Sequence, residues 1–219
     1  MSDAEQNLDW ARASLVLQAR QAGIMHGHIL KSLETIPRDR FVPEEYMEHA
    51  YRDVSIPLDH HQSMISPIKL AKLLDALDLA DVPNKVLEIG TGSGFATAML
   101  STLCKRVFTV ERDRHLLRKA SAIWKELRLS NIVENNDDGL LGWPHQAPFP
   151  RILLTGSVKS LPIDLTDQLD EGGCLVAAIG EPKAVQKITR VDKIEGKLDF
   201  TELGDIRLPA LVPGKNTTL

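Results

Sequence analysis

Apolar positions Leu8, Ala11, Leu15, Ala19 and Ala22 recur at three- and four-residue steps, the period of an amphipathic helix, and Gly23 supplies a stop. A second, shorter helix is predicted over roughly residues 29–36. It ends at Pro37, which has no N–H to continue the ladder. Pro43-Glu44-Glu45 reads as a third helix start, because proline fits the first turn and the acids face the positive end of the dipole. That helix runs to about Tyr51. Residues 53–67 then show no clear period. Fifteen irregular residues are uncommon inside a compact domain and are often functional.

From Ile68 the pattern changes. Leu70, Leu73, Leu74 and Leu77 mark an amphipathic helix, after which short apolar runs alternate with helical patterns. Strands are predicted at 85–89, 107–110, 132–133, 151–155 and 173–179, and helices at 94–103, 114–127 and 164–169. Such alternation implies an α/β fold built on a parallel, doubly wound sheet. Two closing strands, 185–191 and 198–208, surround a Glu195-Gly196 turn and add an antiparallel element. Residues 1–67 read as a helical cap with an irregular loop and 68–219 as the core, in one continuous compact unit.

Composition narrows the function. Among 219 residues, 26 Lys and Arg face 30 Asp and Glu, a formal net charge of −4, so the basic footprint of a non-specific nucleic-acid binder is missing. Cys104 and Cys174 are too far apart, and too few, for a disulfide framework or a thiolate zinc site. His60-His61 lacks the neighbours that would complete a metal site, so no metal is expected. No apolar run reaches membrane-spanning length, and the polar, acidic start Met1 to Asn7 is wrong for a secretory signal. The expectation is a cytoplasmic protein without membrane or nucleic-acid partners; its oligomeric state is not legible. Trp10, Trp124 and Trp143 are read as packing residues.

The sharpest chemical signal is Val86-Leu87-Glu88-Ile89-Gly90-Thr91-Gly92-Ser93-Gly94, a buried strand running into a glycine loop and a helix. In doubly wound sheets ligands bind outside the carboxyl ends of the strands. The spacing is GxGxG, not the GxGxxG of a dinucleotide site. Glu88 would sit badly beside a pyrophosphate but suits an ammonium or sulfonium group. Glu111, at the end of the next strand and 21 residues past Gly90, is placed to accept ribose hydroxyls, with Arg112 beside it. Asp138-Gly139 follows the third strand, where a carboxylate would accept from an adenine amino group. An acid before three close glycines, then an acid after each of two further strands, fits an adenosyl ligand with a zwitterionic tail. S-adenosylmethionine is that ligand.

With these residues in place, the chain resembles the protein-L-isoaspartate O-methyltransferases over roughly residues 8–213. The glycine loop through Phe95 and the Val110-Glu111-Arg112 step are similar to that family's cofactor loop and ribose-binding step. Asp138-Gly139-Leu140-Leu141-Gly142-Trp143-Pro144, Ala147-Pro148-Phe149 and Leu169-Asp170-Glu171-Gly172-Gly173 resemble its DGxxGxP, APF and LxxGG segments. Ile36-Pro37-Arg38 with Phe41-Val42-Pro43 resembles the family's helical cap, and Asp205-Ile206-Arg207-Leu208-Pro209 its closing strand. The resemblance implies a Rossmann-like methyltransferase fold with a mostly parallel seven-stranded sheet. It also implies methyl transfer from S-adenosylmethionine to the free carboxylate of isoaspartyl residues in damaged proteins, leaving S-adenosylhomocysteine. Cofactor contacts are expected from Glu88, Gly90, Thr91, Gly92, Gly94, Glu111, Arg112, Asp138 and Gly139.

The chain departs from the family in the loop before the first core helix, Pro57-Leu58-Asp59-His60-His61-Gln62-Ser63-Met64-Ile65-Ser66-Pro67-Ile68. Asp59 and His61 stand where the family pattern P-x-G-x-G-Q-T-I-S-x-P has glycines, and Ile65 stands at the serine. A one-residue shift restores that hydroxyl as Ser66. A carboxylate acceptor has a pKa of roughly 3.5 and is already ionised at neutral pH, so no general base is needed. Catalysis reduces to alignment and exclusion of water. Gln62, Ser63 and Ser66 are therefore the candidate catalytic residues, able to hold a carboxylate without taking a proton. The altered loop also admits a diverged methyltransferase with another acceptor, or a cofactor-binding relative without turnover.

Overall fold

The structure, a computed structural model, describes residues 3–216. The outer ends of the 1–67 and 68–219 segments, and the first two residues of the polar start, lie outside the described residues. Two helices open the chain, α1 (Asp3–Gln21) and α2 (Gly27–Thr35), and α2 buries Ile29, Leu30 and Leu33 on one face. The third helix expected from Pro43 is a 3-10 helix, Glu44–His49. None of its residues is buried, so no packed face rewards the longer α-helical ladder. Within residues 53–67, β1 (Ile56–Pro57) pairs antiparallel with β2 (Ser63–Met64) around a turn at Asp59–His61. Helix α3 (Pro67–Ala76) follows directly.

The core alternates as the pattern requires: β3 (Val86–Ile89), α4 (Phe95–Ser101), β4 (Val107–Val110), α5 (Arg114–Glu126), β5 (Ile132–Asn135), β6 (Phe149–Val158), α6 (Ile163–Asp167), β7 (Leu169–Ile179), β8 (Gln186–Ile194) and β9 (Lys197–Ile206). Seven strands form one sheet in the order β5-β4-β3-β6-β7-β8-β9. The five from β5 to β7 are parallel, and β8 and β9 close as an antiparallel meander. All four residues of β3 and of β4 are buried, which explains their unbroken runs: a parallel strand covered on both faces shows no alternation.

The sheet separates two apolar layers. Leu87, Ile89, Phe108 and Val110 point to one, with Leu165 and Phe149. Val86 and Val107 point to the other, with α3, α4 and α5. This second layer takes in Leu15, Ala19, Ile29 and Leu33 from α1 and α2, so the cap shares it with the core. Arg38 ties the cap's own segments together. Its buried guanidinium donates to the carbonyls of Ala50 and Val54 (3.1 Å to the latter), and burial lowers its pKa to about 10. Trp124 is buried as expected, but Trp10 on α1 is 75% exposed and lies outside the core.

Chain order sends β4 and β5 to one side of β3 and β6 to the other, so the topological switch point lies at the carboxyl ends of β3 and β6. The glycine loop emerges there.

Candidate cofactor and substrate site

An open cleft lies at that rim. Gln62 and Ser63 form one wall, Gly90 and Gly92 the floor beside β3, Glu111 and Arg112 the far end. Gly139 and Leu140 complete the side below β5. Gly90 has φ +93°, and a Cβ there would stand 2.8 Å from Thr155 Oγ1 and 3.1 Å from Leu211 Cδ2. Position 90 therefore admits only glycine.

Glu111 is buried, and each carboxylate oxygen accepts one backbone N–H: Oε2 from Gly92 and Oε1 from Asp113, both at 2.9 Å. Burial raises its pKa, and the two N–H bonds offset part of that rise. A carboxylate has about four lone-pair sites, so two remain to accept ribose hydroxyls. The same bonds tie the glycine loop to the end of β4.

Four of the expected contacts sit behind the cleft. Glu88 is fully buried on β3 and does not line it. Its Oε2 accepts from Thr97 Oγ1 at 2.5 Å and Thr109 Oγ1 at 2.7 Å, while Oε1 has no partner. Burial pushes its pKa up to about 8, so it is largely a neutral acid at pH 7, not the anionic partner of a sulfonium. Strand alternation is the reason: Glu88 points into the layer beneath α4, and the cleft lies beyond the strand end. Thr91 turns its hydroxyl inward, 2.6 Å from Thr109 Oγ1. Gly94 caps α4 at φ +84°, and a Cβ there would meet Ala120 Cβ at 2.6 Å and Trp124 at 2.9 Å. Its carbonyl accepts from Trp124 Nε1 at 2.9 Å, so this glycine serves helix packing. Asp138 gives one oxygen to Leu140 N–H at 2.9 Å and the other to Gly214 N–H at 2.6 Å, which places its carboxylate under the chain end and off the cleft wall.

The loop from Leu58 to Ser63 brings Gln62 and Ser63 to the cleft. Ser63 also lines a smaller recess with Met64, Thr91, Ser93 and Thr155, on the glycine-loop side. Ser66 occupies the N-cap position of α3, yet its hydroxyl makes no cap bond, is buried without a partner and lines neither space. Of the two serines, the structure brings only Ser63 to the cofactor loop. His60 (φ +55°) and His61 (φ +59°) hold left-handed backbone that non-glycine residues seldom adopt. Side-chain pins fix the loop. Asp59 Oδ2 accepts from Lys119 Nζ at 2.6 Å and His115 Nε2 at 3.1 Å, and His60 Nδ1 pairs with Asp113 Oδ2.

Two groups escaped the reading of the sequence. Thr155, on β6 one residue past the Leu154–Ile89 pair that ends β3, donates to the Ile89 carbonyl at 2.9 Å and lines both spaces. A polar residue ending the strand predicted at 151–155 was the available signal. The second group is the stretch from Pro209 to Asn216, which crosses the rim as a strap. Pro209 to Val212 line the cleft. Leu211 N–H donates to Ser157 O at 2.8 Å, and Arg112 Nε donates to Gly214 O at 2.7 Å. Nothing periodic marks these residues. Among the described residues no three metal-ligating side chains converge, and no helix is long and apolar enough to cross a membrane.

An adenosyl cofactor fits these residues. The glycine floor that a Cβ would fill and the free lone pairs of Glu111 match the two parts of such a molecule, its chain and its ribose.

Comparison with known proteins gives a consistent picture. The family model described as protein-L-isoaspartate(D-aspartate) O-methyltransferase matches residues 11–215. A protein-L-isoaspartate O-methyltransferase of Xanthobacter autotrophicus is 40% identical over 208 residues, covering 95% of this chain and 94% of its own. One from Azorhizobium caulinodans is 40% identical, covering 93% of each chain. Among solved structures, a protein-L-isoaspartate O-methyltransferase superposes with a TM-score of 0.81 at 24% identity, over 91% of this chain and 65% of that one. A Plasmodium falciparum structure described as an isoaspartate methyltransferase, in complex with S-adenosyl-L-homocysteine, gives 0.80 at 20% identity, over 92% and 98%. At these identities the structural likeness carries the fold.

Proposed function

The chain belongs to the protein-L-isoaspartate(D-aspartate) O-methyltransferase family, and on that premise we propose how its own residues perform the reaction. It is an S-adenosylmethionine-dependent carboxyl methyltransferase acting on isoaspartyl residues in proteins. When bound, the cofactor supplies a sulfonium-activated methyl group and departs as S-adenosylhomocysteine.

Glu111 would accept the ribose hydroxyls, with Arg112 and Gly139 flanking. Gly90 and Gly92 would give the floor for the cofactor's amino-acid end. Gln62 and Ser63 hold the acceptor: the amide and the hydroxyl each donate to its carboxylate and leave the charge in place, since a nucleophile of pKa about 3.5 needs no base. Fixing the carboxylate at the angle an in-line displacement demands is then the main catalytic task. Leu211, over Gly90 and Gly156, keeps water from the transfer path. Glu88, Thr91 and Gly94 support the glycine loop from behind, and Asp138 holds the strap through Gly214.

One observation carries the acceptor assignment. Gln62 and Ser63 line the same cleft as Glu111 and the glycine loop, and Ser66 does not. The test is a radiolabelled methyl-transfer assay on an isoaspartyl peptide and its normal aspartyl twin. The isoaspartyl peptide is labelled and the twin is not. Ser63→Ala lowers kcat/KM about tenfold, the cost of one hydrogen bond to a charged group. Ser66→Ala keeps full turnover and, by removing a buried hydroxyl without a partner, is neutral or raises stability by about 1 kcal/mol. Loss of turnover in Ser66→Ala with normal turnover in Ser63→Ala would reverse the assignment.

A further inference from the structure

Asp113 is buried, and its two carboxylate oxygens have separate tasks. Oδ1 accepts from the backbone N–H groups of His115 (2.9 Å) and Leu116 (3.2 Å), capping α5. Oδ2 accepts from two side chains that belong to neither α5 nor each other. His60 Nδ1 comes from the substrate loop, and Asn216 Nδ2 comes from the strap at 2.6 Å. A backbone bond from Asn216 N–H to Arg112 O at 2.9 Å holds the strap in register there. Burial alone would raise the Asp113 pKa, but these bonds outweigh it and the carboxylate stays below its usual range.

Loop and strap are the two segments that flank the cleft, and they meet at one oxygen atom two residues beyond Glu111. We propose that Asp113 is a positioning residue whose Oδ2 clasps the substrate loop to the C-terminal strap across the ribose end of the cleft, so that cofactor exchange requires the clasp to part. The inference rests on the cofactor reading above. It also accounts for His60. That residue holds a left-handed backbone at a cost of roughly 1–2 kcal/mol that glycine would avoid. Its side chain reaches Asp113, which glycine's cannot.

The test uses variants that spare the Oδ1 cap. His60→Gly relieves the backbone and removes the pin. His60→Asn keeps both a residue tolerant of left-handed φ and a donor at the same distance from Cβ. Asn216→Ala opens the clasp from the strap side. The release rate of S-adenosylhomocysteine is followed by stopped-flow fluorescence. Amide hydrogen exchange at Leu211 and Gly214 is followed without cofactor. His60→Gly and Asn216→Ala each speed release about tenfold, in line with a hydrogen bond to a charged group. The double variant gains less than the product, because both partners share one acceptor. His60→Asn stays near the parent rate. In the cofactor-free protein, His60→Gly accelerates exchange in the distant strap. Unchanged release rates, multiplicative effects, or equal behaviour of His60→Gly and His60→Asn would overturn the clasp. If the parent protein binds no S-adenosylhomocysteine, the cofactor reading fails and the clasp with it. Binding with unaltered rates sinks the clasp alone.

Discussion

Glu88 is a carboxylic acid sealed in the interior, with two threonine hydroxyls on one oxygen and nothing on the other. Its folded pKa of about 8 lies above its ordinary 4.5. A raised pKa means the folded state holds the proton more tightly than the unfolded state. The Glu88 contribution is therefore fully present below about pH 4.5 and is lost as pH rises toward 8. Against Glu88→Gln, which cannot ionise, wild-type stability should decline over that window with a slope approaching about 1.4 kcal/mol per pH unit. Urea unfolding of both proteins at stepped pH measures it, and parallel curves would contradict it. The residue type at position 88 was legible in the sequence, but the direction of its side chain was not. Four consecutive buried positions carry no alternation from which a face could be read.

Among the elements, α4 and α5 show how the glycine loop is held. α5 buries Leu116, Leu117, Ala120 and Trp124 as one stripe, and Gly94 is the contact that lets α4 begin against it. Gly94→Ala combines an unfavourable φ with overpacking against Ala120 and Trp124, and should cost about 2–4 kcal/mol. A lower urea midpoint at unchanged m-value reports that loss. The cofactor affinity of the surviving folded fraction should change little, since Gly94 is off the cleft. Elements marked by a strong period or an unbroken apolar run, such as α5 and β4, were readable to within a residue or two. The 3-10 turn at Glu44–His49 and the β1–β2 hairpin were not, because neither buries a repeating face. The strap was least readable of all, since its place is set by single hydrogen bonds to residues far away in the chain.

For the whole molecule, ligand and fold are linked. S-adenosylhomocysteine at a hundred times its Kd should stabilise the protein by about 2.7 kcal/mol. Glu111→Gln, by weakening charge-assisted bonds worth about 1.5–3 kcal/mol, should cut that gain to between about 0.3 and 1.3 kcal/mol at the same concentration. Scanning calorimetry with and without the ligand decides this. The same trace bears on the apolar layer that runs from Leu15 through Leu70 to Val176. Helices that contribute to a neighbour's interior have no independent melting point. One endotherm, not two, is the consequence. A gene shortened past α1 and α2 would then yield an insoluble remnant in place of a smaller working enzyme.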